Sequence, residues 1–136
     1  MKLVFADTLY WGALLHPRDQ YRTQATRARK ALGDVRLVTT DDVLAELLDG
    51  LAQRGPALRE VAAQAVRRIL VDEGVTVYPQ SRQSFLEGLL LYEQRFDKGY
   101  SLVDCVSMIT MRRHGIADIL TNDHHFMQEG FKALIR

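Results

Sequence analysis

Residues 1–15, MKLVFADTLYWGALL, decide how the rest of this chain is read. KLVFA is a nearly continuous apolar run, the pattern of a strand covered on both faces and not of one with a wet side. It stops at Asp7 and Thr8, and a helical pattern follows. A carboxylate therefore stands where the first strand ends. Asp is common at turns and helix caps, so Asp7 alone carries little weight. What matters is whether other carboxylates fall at points that can meet it.

Working outward, residues 8–15 read as a short helix, and His16-Pro17-Arg18-Asp19 breaks it before a longer helix through residue 32. Gly33-Asp34 turns the chain into a second strand, VRLVT. Thr39-Thr40-Asp41-Asp42 looks like an N-cap with acidic first-turn residues, opening the helix DVLAELLDGLAQR. Gly55-Pro56 starts a helix to about residue 72, and VTVYP is a third strand ended by Pro79. Ser81 caps a long helix to about residue 96, and Ser101 caps another that ends at Gly115. ADILT is a fourth strand, a short turn or helix follows Asp123, and FKALI is a candidate fifth strand. Strands alternating with helices predict a three-layer α/β sandwich, with a mainly parallel central sheet of four or five strands flanked by helices. The 136 residues are expected to form one domain, 1–136.

Composition narrows the function. Apolar residues are 47% and charged residues 26%, with no low-complexity stretch and no internal repeat. The longest apolar runs fall short of a membrane span and the first residues do not form a secretory leader, so a cytoplasmic protein without membrane attachment is expected. The single Cys105 excludes an intrachain disulfide and a multi-cysteine metal site, and its apolar surroundings make it a buried filler. Net charge is only +1. A protein gripping nucleic acid mainly by charge would be more basic. One that cuts nucleic acid needs acidic residues at a metal and basic ones around it, which a near-neutral total permits. Here basic residues cluster in YRTQATRARKALGDVR and LREVAAQAVRR, and acidic ones in TTDDVLAELLD.

Parallel α/β sheets place their chemistry beyond the carboxyl ends of their strands. Asp7 follows the first strand and Asp123 follows ADILTN, so such a sheet would deliver both to one edge. Glu46 lies at the margin of the apolar face formed by Val43, Leu44, Leu47, Leu48 and Leu51, with Asp42 and Asp49 about one turn away on either side. A solvated acidic flank would look the same. Asp104, in SLVDCVSMITM, has apolar neighbours in nearly every direction and faces neither a charged stripe nor an adjacent Lys or Arg on its own helix. A carboxylate there needs a partner, unless Ser101-x-x-Asp104 imitates a capping box.

On these segments the chain resembles the PIN domain family of metal-dependent ribonucleases, and most of all the VapC-type toxins of toxin–antitoxin pairs. The resemblance runs over essentially the whole length. It is carried by the opening strand with Asp7-Thr8, by TTDDVLAELLDGL with Glu46, by DKGYSLVDCVSM with Asp104, and by ILTNDHHFMQEGF with Asp123. It implies an endoribonuclease whose catalytic and metal-binding residues are Asp7, Glu46, Asp104 and Asp123. It also implies RNA as substrate, a homodimer and a cognate antitoxin protein. The chemistry is consistent: four carboxylates in one pocket repel one another unless a cation offsets them, and all-oxygen ligation suits Mg²⁺ or Mn²⁺. Thr8, Ser101 and Thr121 are expected to orient ligands by hydrogen bonds, and Asp97 is a weaker candidate at the substrate side.

Other classes bear on the same residues. A housekeeping RNA-processing nuclease of this family would share the acidic set, and so would an inactive RNA- or protein-binding scaffold that had kept it. Phosphotransfer of the haloacid-dehalogenase type would want a second Asp two positions after the first, where Leu9 stands. No glycine-rich phosphate loop follows any strand. His124-His125 adjoins Asp123, but zinc lacks spaced His or Cys ligands, and His125 with Phe126 is expected to pack the closing turn.

Overall fold

The computed structural model describes all 136 residues. Its strands are β1 (Leu3–Ala6), β2 (Arg36–Thr40), β3 (Val75–Tyr78), β4 (Asp118–Leu120) and β5 (Lys132–Ala133). The helices are α1 (Thr8–Leu15), α2 (Arg22–Leu32), α3 (Asp41–Leu51), α4 (Pro56–Val71), α5 (Arg82–Gln94), α6 (Leu102–Arg113) and α7 (His124–Gln128). The strands make one sheet in the order β3-β2-β1-β4-β5, and every pairing is parallel. Helical crossovers impose this, because a parallel neighbour cannot be reached by a tight hairpin. The candidate fifth strand is present, though short.

The chain steps from β1 through β2 to β3 on one side, then places β4 and β5 on the other. The switch point of the sheet therefore falls between β1 and β4. Register aligns Phe5 with Val38 and with Ile119, and Ala6 with Leu120. Asp7 and Thr121 consequently leave the sheet side by side at its centre.

Phe5, Val38, Ile119 and Leu120 from the sheet are fully buried with Leu47 of α3, Met108 and Met111 of α6 and Phe126 of α7. Tyr10 and Trp11 of α1 belong to the same core, so the aromatic residues of the first helix face inward. Cys105 is buried, as its apolar surroundings implied. Two contacts then set the position of α6. Gly88 of α5 lies so close that a β-carbon there would stand 2.6 Å from Val106 Cγ2. At its start, Ser101 Oγ accepts from the Asp104 amide while Asp104 Oδ2 accepts from the Ser101 amide. The capping box is real, and it coexists with burial of the same carboxylate.

Candidate active site

Four carboxylates reach one open pocket of about 340 Å³ at the carboxyl edge of the sheet. Its lining is Asp7, Thr8, Leu9, Glu46, Gly99, Ser101, Asp104, Thr121, Asp123 and His125. Volume alone would not single it out, since a hollow of about 490 Å³ at Gln80, Ser81, Arg82 and Phe85 is larger. That one holds no carboxylate. The distinction is chemical.

Each acidic side chain arrives by its own route. Asp7 occupies the N-cap position of α1 but makes no capping bond. Its Oδ2 instead accepts from Thr121 Oγ1 at 2.9 Å, so the cap explanation for this residue is removed. Thr121 is fully buried, and the same hydroxyl oxygen accepts from the Asp123 amide at 3.2 Å, tying the ends of β1 and β4 together. Glu46 is half-buried because Val43, Leu44, Leu47 and Leu51 turn the other face of α3 into the core. Its Oε1 accepts a short hydrogen bond from Thr8 Oγ1. Asp42 and Asp49, its acidic neighbours on α3, line other hollows. Asp104 Oδ2 is held by the Ser101 amide at 3.1 Å. Asp123 does cap α7, its Oδ1 accepting from the His125 amide at 2.9 Å.

One oxygen of every carboxylate is thus pinned by a hydroxyl or a backbone amide. No Lys or Arg enters the pocket lining. The electrostatic result is upward pressure on protonation. Burial pushes the Asp7 carboxyl up to about 7 against the Thr8 amide and the Thr121 hydroxyl, and the charges of Asp104 and Glu46 add to the rise. Burial also raises Glu46, opposed by the Thr8 hydroxyl and reinforced by Asp104 and Asp123. Asp104 is raised chiefly by burial, with the Ser101 amide opposing and Asp123 adding.

A hard cation fits this donor set: convergent carboxylate oxygens, oriented from behind and lacking internal positive charge. Single ligand atoms of Asp104, Asp123 and His125 lie within 4.8 Å of one another. Asp104 and Asp123 therefore come close enough to share an ion, and Asp7 and Glu46 line the same pocket.

The structure brings all four expected carboxylates to the pocket, with Thr8, Ser101 and Thr121 in its wall. Asp97 is left out: its side chain is 76% exposed and its ionic contact is with adjacent Lys98, at 3.7 Å. The reading of His125 as packing for the closing turn needs correction. Its Nδ1 stands 3.3 Å from Asp104 Oδ2 and 3.4 Å from Asp123 Oδ1, while His124 points to solvent. A signal was present in the sequence. A residue two after an N-cap donates its amide to the cap side chain, so its own side chain starts at the rim of whatever the cap faces.

This arrangement sits in a chain that belongs to the PIN domain family, whose sequence pattern matches residues 4–131. The chain is 30% identical over 129 residues to the 23S rRNA-specific endonuclease VapC20 of Mycobacterium tuberculosis, with 95% of each chain covered. The crystal structure of that VapC20, a Sarcin-Ricin loop cleaving toxin, superposes with a TM-score of 0.84 at 25% identity, covering 94% of this chain and 95% of the other. FitAcB from Neisseria gonorrhoeae shares the fold at 16% identity, with a TM-score of 0.63 over 98% of this chain and 96% of its own.

Proposed function

We propose that this protein is a metal-dependent endoribonuclease that hydrolyses RNA phosphodiester bonds and is the toxin of a toxin–antitoxin pair. The observation that carries this reading is the convergence of Asp7, Glu46, Asp104 and Asp123 on one pocket, each with one oxygen pinned, in a chain similar to VapC20 over nearly its whole length. Asp7, Glu46, Asp104 and Asp123 hold Mg²⁺, or Mn²⁺, through their carboxylate oxygens. When bound, the cation makes water more acidic and stabilises negative charge building on the phosphate. The protein's own groups provide the geometry. Thr121 and Thr8 hold Asp7 and Glu46 through their hydroxyls, and Ser101 holds Asp104 through its amide.

Residues 1–136 serve as one catalytic unit. The pocket is open at the sheet edge, which suits a strand of RNA laid across it and not a small molecule enclosed by protein. A ribosomal RNA loop is the first substrate to try, on the strength of what VapC20 cuts. The toxin reading brings a homodimer and a cognate antitoxin with it, and cytoplasmic action follows from an RNA target. No helix is long and apolar enough to cross a membrane. Exposed Leu86, Leu90 and Phe96, along and just beyond α5, offer apolar surface for protein contacts.

The test is cleavage of 23S rRNA and of short single-stranded RNA with Mg²⁺, with Mn²⁺ and with a chelator. Cutting that needs the metal is expected. Cutting that survives chelation would remove the mechanism, and RNA binding without any cutting would favour a scaffold. Light scattering at micromolar concentration checks the dimer.

A further inference from the structure

We propose that His125 is a positioning residue of the cation site, whose Nδ1–H forks to Asp104 and Asp123 and holds these two carboxylates in register. The proposal rests on the metal-dependent reading above. Asp104 comes from the start of α6 and Asp123 from the end of the β4 segment, and no other side chain hydrogen-bonds or pairs with both. Two carboxylates that repel each other across separate elements need a common donor if they are to keep a ligand geometry before an ion arrives. The imidazole supplies it.

Its placement is well supported. The ring lies against Tyr100, centroids 5.3 Å apart, and abuts Gly99 on its Nε2 side. The next residue, Phe126, is fully buried and anchors the short α7 beneath it. Two acceptor oxygens converge on Nδ1, so that nitrogen is placed to donate a proton to them. With no ion between them, an Nδ1 lone pair aimed at those two oxygens would repel them, so the metal-free arrangement calls for a proton on Nδ1. The oxygens that Nδ1 faces, Asp104 Oδ2 and Asp123 Oδ1, are also the ones taken by the Ser101 and His125 amides. The imidazole therefore reinforces the pinned side of each carboxylate. Asp104 Oδ1 and Asp123 Oδ2 carry no hydrogen bond from the fold and are left to face a cation.

Calorimetric titration of the full chain with Mn²⁺ and with Mg²⁺ tests this, alongside melting curves without metal. In His125→Ala both affinities should fall by similar factors, roughly 10- to 100-fold, the usual effect of losing a partner that orients a ligand. His125→Asn puts an amide nitrogen near the Nδ1 position and should recover most of the loss. His125→Gln reaches toward the Nε2 position, should behave like alanine, and replaces it if the alanine variant does not fold. Unchanged affinity in a folded alanine or glutamine variant would overturn the proposal. So would a loss confined to Mn²⁺ that asparagine does not restore, because that pattern belongs to a nitrogen ligand. If the unmodified protein binds neither ion, the metal-dependent reading fails and takes the proposal with it. Failure at His125 alone leaves that reading standing.

Discussion

Asp123 and Glu129 flank the same short helix, yet one faces the pocket of Asp7, Glu46 and Asp104 and the other sits among arginines. Glu129 has a side chain only 6% exposed, and three donors meet it: Arg95 Nε at 2.9 Å, an Arg112 guanidinium nitrogen at 2.7 Å and the Tyr100 hydroxyl at 3.0 Å. Burial would raise its pKa, but those hydrogen bonds outweigh it and bring the carboxyl down to about 2. Across α7, Asp7, Glu46 and Asp104 are met by hydroxyls, amides and one imidazole, and all three are raised. Where a carboxylate serves the fold, the chain supplies its own cations. Where it withholds them, the charge is relieved by a proton or by a bound ion, and that is the physical content of the cation site proposed above.

The comparison can be broken most decisively at Asp7. Asp7→Asn keeps the size but removes one negative charge, so RNA cleavage should fall by at least on the order of a hundredfold. Without metal, the variant should melt no lower than the parent, because a buried member of a repelling cluster becomes neutral. It should also lose the metal-induced rise in melting temperature that binding to the native state produces. Cleavage at the parent rate by the folded variant would end the four-carboxylate mechanism.

Glu129→Ala should do the reverse. Removing the acceptor from two arginines inside a nearly closed network should destabilise the protein by roughly 3 kcal/mol, while cation affinity changes far less. Urea denaturation paired with Mn²⁺ titration measures both, and an affinity loss matching that of Asp7→Asn would erase the contrast between the regions.

Acidity separates the two regions without mutation. Between the ordinary Asp value of 3.8 and about 7, the folded metal-free protein keeps a proton on Asp7 that the unfolded chain has released. Stability from this group is therefore complete below that window and lost as pH rises through it. Glu129 runs the other way: its contribution is present above 4.5 and lost as pH falls toward about 2. Melting temperature against pH, with chelator present, should decline on both sides. Asp7→Asn should flatten the upper limb and saturating Mn²⁺ should counter it. An upper limb unchanged in Asp7→Asn would assign it to another group.

The smallest effect is expected at Asp97, which belongs to neither region. Asp97→Ala should shift stability by no more than about 0.5 kcal/mol and leave cleavage and cation binding in place. A measurable loss of cleavage would return Asp97 to the substrate side of the site.

Local pattern was enough for much of this molecule. The run KLVFA, the turn signals and the caps at Thr40, Ser81 and Ser101 specify elements and their faces, because a strand or helix is chosen by periodicity within a few residues. Asp104 was legible for a similar reason: a carboxylate with apolar neighbours all round its helix needs a partner wherever it goes. Other features were decided only when distant elements packed. That β4 lies directly beside β1, bringing Thr121 onto Asp7, depends on sheet order, which no local period encodes. The choice of Glu46 over Asp42 and Asp49 depends on how α3 turns against the core. The exclusion of Asp97 and the inward aim of His125 depend on where the α5–α6 connection and α7 come to rest. Sequence by itself determined the kinds of element and the residues able to do chemistry. Tertiary structure decided which of them meet, because a site is a set of distances between segments far apart in the chain, and nonlocal packing sets those distances.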